Sequence, residues 1–556
     1  MLTYFSSAPD GLVWAALSLA IAVAIVFTRS GNLRQLTASR AMEYERRKKR
    51  PAPVEVAPDL TTQTLAALDG PEAITFGTLP SGTPLRVRGE IARRSALVLG
   101  APGSGKTRWL LGVLLDLLYA MATGSALEIE VVDVKNESVD LLEQFIGGWL
   151  LTWPEREREW LRRHVRVFKF TRERITPLRP YDNRDGVFSD AYLASFRTAV
   201  VVDAGQSEYT DATRYARGMW DRVLMDLRWP PSLKVATRFF TDDAFRSRVV
   251  IPKIRDPRTR AWAETVGHQS KGTTSALLRR MGGNEAYPQI GAAMNTPPSA
   301  LDGLMPVQEP GLTLSRVGPD TTLTAAVAEG LCLYRYLDIF ASIPTRTPER
   351  PLLVAAEELA VTVASSPRLV TPIAQALRTS RSFGVALWAL AQDFENAAQT
   401  EMAKTFALNA RFIVAFQSRD EAAWLAPHLP PDFVPGASDA ERKRAFQAAI
   451  ENLPSRESFV WVKGCPVLRC KSPTVLDPSV QFGRSPEELR EVFDREVASR
   501  STISLQTAEA LIGQWETDVL GDNGVPSAPD RKAAPRFTSM DDLLRHLGTD
   551  DEDADA

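Results

Sequence analysis

Short stretches in which nearly every residue is apolar recur along this chain, and between them lie longer stretches with apolar residues at helical spacing. The runs SALVL (95–99), LEIEVVDV (127–134), 311–317, LLVAA (352–356), VALWAL (385–390), FIVAF (412–416) and 459–462 predict strands, several of them buried on both faces. RWLLGVLLDLLYAM (108–121), following the first, predicts a helix. Ahead of them, 74–76 and 85–87 flank LPSGTP and predict a hairpin. Strands alternating with helices predict an α/β fold around a largely parallel, covered sheet. Residues 190–305 break the alternation with Arg-, Trp- and Pro-containing stretches and few clean strand runs, which predicts an inserted, mainly helical domain.

Both ends have a different character. Residues 11–28 (GLVWAALSLAIAVAIVFT) carry no charge and reach the roughly 18 residues a bilayer-spanning helix needs. Arg29, Arg34, Arg40 and the run from Arg46 to Arg50 follow, whereas only Asp10 precedes, so the positive-inside rule puts the C-terminal bulk in the cytoplasm. The start MLTYFSSAPD has no Lys or Arg, which argues for a retained anchor over a cleaved signal. Beyond residue 520, GDNGVPSAPDRKAAP predicts a flexible linker and TDDEDADA an acidic end. Between them Met540, Leu543, Leu544 and Leu547 share one face of a short helix over 537–547, either a docking segment or a helix packed on its own core. The expected division is therefore an anchor (1–28), a basic juxtamembrane segment and linker (29–70), a core in two parts (71–189 and 306–480) around the insertion (190–305), a helical extension (481–520) and the acidic tail (521–556).

At 556 residues the chain is too long for one ordinary compact domain. Its 66 Lys+Arg against 68 Asp+Glu exclude a basic coat on nucleic acid, so any such contact must be local. Three cysteines (Cys332, Cys465, Cys470) are too few for a disulfide framework, and neither they nor the four scattered histidines match a metal-ligand spacing.

Chemistry enters with GAPGSGKT (100–107), a full GxxxxGKT at the end of an apolar strand and the start of a helix. Gly100, Gly103 and Gly105 let backbone N–H groups turn in around phosphates, with Ser104 among them. Lys106 reaches the β and γ phosphates, and the Thr107 hydroxyl ligates Mg²⁺, which implies ATP and Mg²⁺ as cofactors. Such a site needs a carboxylate for the metal and a second to polarise the attacking water, and LLVAAEELA offers Glu357 and Glu358 directly after a strand. Glu357 stands where Asp is usual; the alternative for the pair is a helix-capping role. Gln392 ends a further strand, where it can sense the γ-phosphate.

The series GAPGSGKT, VVDVKNES (131–138), LLVAAEELA, RSFGVALWALAQ (381–392) and NARFIVAFQSRDEAAWLA (409–426) resembles the membrane-anchored coupling ATPases of type IV secretion and conjugation, and more broadly the FtsK/HerA group of hexameric DNA pumps. The resemblance spans roughly residues 70–480 and implies a RecA-like P-loop ATPase core. It matches Glu357 and Glu358 to the metal-site and catalytic acidic pair, and Gln392 to the strand-end glutamine that couples nucleotide state to DNA loops. Arg381 matches an arginine that enters the neighbouring subunit's site, which implies a homo-hexameric ring. Asp133 and Lys135 fall in a family strand-end motif whose chemistry the sequence does not explain. The implied partners are DNA, single-stranded by preference, the bacterial inner membrane, and relaxase-type or secretion-channel proteins. For DNA, the insertion offers Arg214, Arg217, Trp220, Arg228, Trp229, Arg246, Arg248 and Arg255. Two other functions fit the same residues: a HerA- or FtsK-like translocase in genome handling or defence, and a nucleotide-binding scaffold with little turnover.

Overall fold

The computed structural model describes residues 58–178, 211–268, 272–278, 288–297, 311–318, 328, 331–336, 339, 347–365, 370–379, 384–392, 397–418 and 438–521. The segments 11–28 and 537–547 lie outside these residues. Among the described residues no helix is long and apolar enough to cross a membrane.

Thirteen strands are described: β1 (Ile74–Thr78), β2 (Pro84–Val87), β3 (Ala96–Leu99), β4 (Glu128–Asp133), β5 (Val165–Phe168), β6 (Arg174–Ile175), β7 (Leu312–Arg316), β8 (Leu352–Ala356), β9 (Val385–Ala391), β10 (Phe412–Phe416), β11 (Glu457–Val462), β12 (Leu468–Lys471) and β13 (Ile503–Ser504). Eleven of them form one sheet in the order β2-β1-β12-β11-β10-β3-β9-β8-β4-β7-β5. From β10 to β5 every neighbouring pair is parallel. From β10 outward to β2 every pair is antiparallel, and the expected hairpin supplies that edge.

The central strands β3, β8, β9 and β10 are buried at every position, and successive residues feed two different cores, as the period of two requires. On β3, Leu97 and Leu99 point into one core while Ala96 and Val98 point into the other. One face is covered by the helices Lys106–Ala122 and Glu137–Thr152, through Trp109, Leu110, Leu142 and Phe145 among others. An aromatic cluster fixes the first of these helices. Trp109 packs within 5.4 Å of Phe76 and 5.8 Å of Trp388, and its indole N–H donates to the Phe76 carbonyl at 2.8 Å.

The other face is covered by the helices Leu359–Ser365 and Ala397–Asn409, through Leu359, Val363, Met402 and Phe406, and the helices of the insertion extend the same core outward. The described residues between 211 and 297 are helical or irregular, with no strand among them. Trp220, Phe239, Phe245 and Ile254 belong to the same continuous core as Val354 and Leu387 of the sheet. The insertion therefore shares its hydrophobic core with the sheet face. After β12, the Pro486–Glu496 helix packs on Glu137–Thr152 and begins with a capping box at Ser485, while Leu505–Gly521 packs against Leu233–Thr241 and Pro288–Asn295.

Four strands were not expected from the pattern. β5 and β12 are four residues long with an Arg inside each, and β6 and β13 are two-residue partners. Their strand character comes from the neighbours they pair with, which local sequence does not encode.

Candidate nucleotide-binding site

The sheet order brings the candidate residues together at one edge. Moving along the C-terminal ends of adjacent parallel strands, β3 runs into the 100–105 loop, β9 ends before Gln392, β8 before Glu357 and Glu358, and β4 at Asp133. β3 and β8 are separated by one strand, hence by about 10 Å. A crevice of that kind, outside the carboxyl ends of parallel strands, is where α/β sheets take ligands.

The loop has the shape its glycines allow. Gly103 (φ 73°) and Gly105 (φ 114°) lie in the left-handed region, and a Cβ on Gly105 would stand 3.0 Å from the Arg456 Cα. The next strands hold the loop from outside. The Ala101 N–H donates to the Gln417 carbonyl at 2.8 Å, the Arg456 N–H to the Ser104 carbonyl at 2.8 Å, and the Ser455 hydroxyl to the Gly103 carbonyl at 3.3 Å. The helix that follows starts at Gly105 without a side-chain cap, so its first-turn amides are left for an anion. Lys106 is buried, with its ammonium on the carbonyls of Gly100 and Ala101 (3.1 Å for the latter). The Ser104 hydroxyl is buried and has no hydrogen-bond partner among the described residues. An uncapped helix start, a buried lysine and an orphaned hydroxyl in one cradle fit a polyphosphate. Thr107, half-buried on the first turn, and Glu357 are the groups that would hold Mg²⁺.

The acidic side is a dense network. Glu357 is buried and accepts from the Ser138 hydroxyl at 2.6 Å. Burial pushes its carboxyl up to about 8, with the Asp133 and Glu358 charges acting in the same direction against the Ser138 bond. Asp133, fully buried, accepts the backbone N–H groups of Lys135, Asn136, Ser138 and Val139 at 2.8 to 3.2 Å. Burial raises its pKa even so. Glu358 sits at a left-handed φ of 50°, uncommon for a residue with a side chain. Its Oε1 accepts from the Lys135 ammonium at 2.9 Å and from the Gln392 amide.

The structure thus joins Glu357, Glu358 and Gln392 in one cluster with Asp133, Lys135 and Ser138. Arg381 lies outside the described residues. Of the cluster, Lys135 and Ser138 had no assigned role in the sequence, and neither did Ser455 or Arg456 beside the loop. The stretch VVDVKNES was visible as a motif, but nothing local says that its lysine meets a carboxylate 223 positions away.

The insertion corrects part of the DNA-contact expectation. Arg217 is buried and paired with Asp221 at 3.2 Å; Trp220 is fully buried, 4.7 Å from Phe239; and Arg246 is buried, donating to the Phe239 carbonyl at 2.7 Å. These three serve the core. A long basic or aromatic side chain at helical spacing covers apolar surface as readily as it faces a ligand. Arg228, Arg248 and Arg255 are exposed, and Trp229 is half-buried between Lys253 (5.6 Å) and Trp515 (6.0 Å). The Arg214 side chain is outside the described set.

Strand, glycine loop and helix, with an acidic pair beyond one intervening strand, define a P-loop nucleotide-binding fold. The chain is similar to the bacterial conjugative coupling protein TrwB. With its ATP-analogue complex it shares 15% identity over 77% of this chain and 97% of that one, at a TM-score of 0.46. With its complex with ADP and Mg²⁺ it shares 14% identity over 75% and 93%, at 0.42. VirB4 of Thermoanaerobacter pseudethanolicus is similar at 13% identity over 74% and 99%, with a TM-score of 0.43. At these values the likeness concerns overall architecture and carries no residue role. No protein-family model matches the sequence, and no curated protein matches it.

Proposed function

We propose that this chain is a membrane-anchored, ring-forming ATPase that drives DNA, alone or with bound protein, toward a transfer channel, in the manner of type IV secretion coupling proteins. The observation that carries the hydrolytic part is the convergence of the Lys106 loop, Glu357, Glu358 and Gln392 on the ends of adjacent parallel strands. Lys106 and the loop amides would hold the phosphates. Thr107 and Glu357 would hold Mg²⁺, which would supply positive charge to the site. Glu358 takes the proton of the attacking water, and Gln392, bonded to Glu358, links that event to the next strand. Arg381 is assigned to the neighbouring subunit's site, which makes the hexamer part of the chemistry. The motif series and the uncharged 11–28 segment with its basic flank support the coupling and membrane parts. The exposed Arg228, Arg248 and Arg255 are candidates for phosphate contacts.

The test is the ATPase rate of the full-length chain in lipid nanodiscs, alone and with single-stranded or duplex DNA, beside Lys106→Ala and Arg381→Ala. DNA-stimulated turnover lost in both variants is the expected result. Tight Mg-ATP binding through Lys106 with no turnover under any DNA condition would favour a scaffold instead.

A further inference from the structure

We propose that the Asp133–Ser138 turn is the positioning element for both acidic residues, and that Lys135 acts within it to orient Glu358; this rests on the hydrolytic reading above. The turn is built to place these side chains. The Asp133 carboxylate collects four backbone N–H groups and closes the turn around itself. Asn136 adopts a left-handed φ of 64° and exchanges hydrogen bonds with Gly318 just beyond β7: its side-chain oxygen accepts from the Gly318 N–H at 3.1 Å and its amide donates to the Gly318 carbonyl at 3.4 Å. A Cβ on Gly318 would come within 2.5 Å of the Val134 carbonyl oxygen, so the two segments are in close contact. From this rigid support one residue reaches each carboxylate, Ser138 to Glu357 at 2.6 Å and Lys135 to Glu358 at 2.9 Å.

The geometry at Glu358 points to orientation. Lys135 and Gln392 both donate to the same oxygen, Oε1, and among the described residues Oε2 accepts no hydrogen bond. The carboxylate is therefore fixed by one oxygen while the other stays available to a water. The backbone strain at Glu358 is consistent with a side chain held by its surroundings. Lys135 stands at the mouth, 40% exposed at its side chain against 8% for Glu358, so a buried base is tied to a cation at the surface. Without Lys135 the carboxylate would keep one neutral bond, from Gln392, and lose its charged partner.

The experiment compares full-length wild type with Lys135→Met, Lys135→Arg, Glu358→Gln and Glu358→Ala. Lys135→Met should lower kcat at least about tenfold, while the Kd for Mg-ATP, read by fluorescence, moves less than about threefold. Lys135→Arg should recover part of kcat, which a merely structural defect would not predict. A second readout needs no turnover: acetylation of Lys135 in the nucleotide-free protein, followed by mass spectrometry, should run severalfold faster in Glu358→Ala than in wild type, because the released amine is no longer held by a carboxylate. An unchanged or raised kcat in Lys135→Met, a loss of nucleotide binding equal to the loss of rate, or equal acetylation rates would each overturn the proposal. If wild type shows no turnover while Lys106 still governs nucleotide binding, the hydrolytic reading fails, and the acetylation rates then decide the ion pair by themselves.

Discussion

Glu357 in the metal-free protein should be protonated at neutral pH and should give up its proton when Mg²⁺ and nucleotide bind. Burial, then the Asp133 charge, holds its pKa at about 8. At pH 7 about 0.9 of the carboxyls carry a proton, and at pH 9 about 0.1. A metal takes the carboxylate form, so binding releases that fraction. The assay is calorimetry of Mg²⁺ with a non-hydrolysable ATP analogue in buffers of different ionisation enthalpy, for wild type and Glu357→Gln. The difference between the two proteins removes protons that come from the nucleotide. It should be about 0.9 proton per site at pH 7 and fall to about 0.1 at pH 9. The same shift sets a stability trend without metal. The folded value lies above the ordinary 4.5, so the contribution is complete below pH 4.5 and is lost as the pH rises through 8, a trend Glu357→Gln should lack. A difference below about 0.2 proton at pH 7 would show that Glu357 is already ionised and would refute the reasoning.

Three further outcomes follow. Glu130, buried on β4, accepts from Arg335 at 2.9 and 2.6 Å and from the Ser315 hydroxyl; Arg335→Ala should cost about 3 to 5 kcal/mol by stranding that carboxylate, and the pair Glu130→Gln with Arg335→Met should recover most of the lost urea midpoint. Trp220→Ala should cost about 3 to 5 kcal/mol as a core deletion, whereas exposed Arg248→Ala should leave stability within about 0.5 kcal/mol and, if DNA binds there, reduce the salt slope of its affinity by about one.

How much of this was legible depends on the range of each signal. The P-loop was, because its glycines encode backbone angles and its apolar strand encodes burial, both within a few residues. The parallel strands were legible for the same reason: β8 and β10 coincide with the apolar runs LLVAA and FIVAF. Strands β5 and β12 were not, because each is only four residues long and an Arg interrupts its apolar run. Trp220 and Arg217 were misread because a helix has two sides, and nothing in a single sequence says which side neighbouring helices will cover.

By itself the sequence determined the local parts: the phosphate loop, the buried strands, the acidic pair and the glutamine at a strand end. Tertiary structure alone decided that β9 lies between β3 and β8, which sets the width of the crevice, and that Lys135 and Ser138 meet Glu358 and Glu357 across more than two hundred residues. The physical reason is that pairing order and burial are properties of the whole chain. Each strand's hydrogen bonds and each charge's partner come from segments remote in sequence, so the free energy that selects them is not written at any one position.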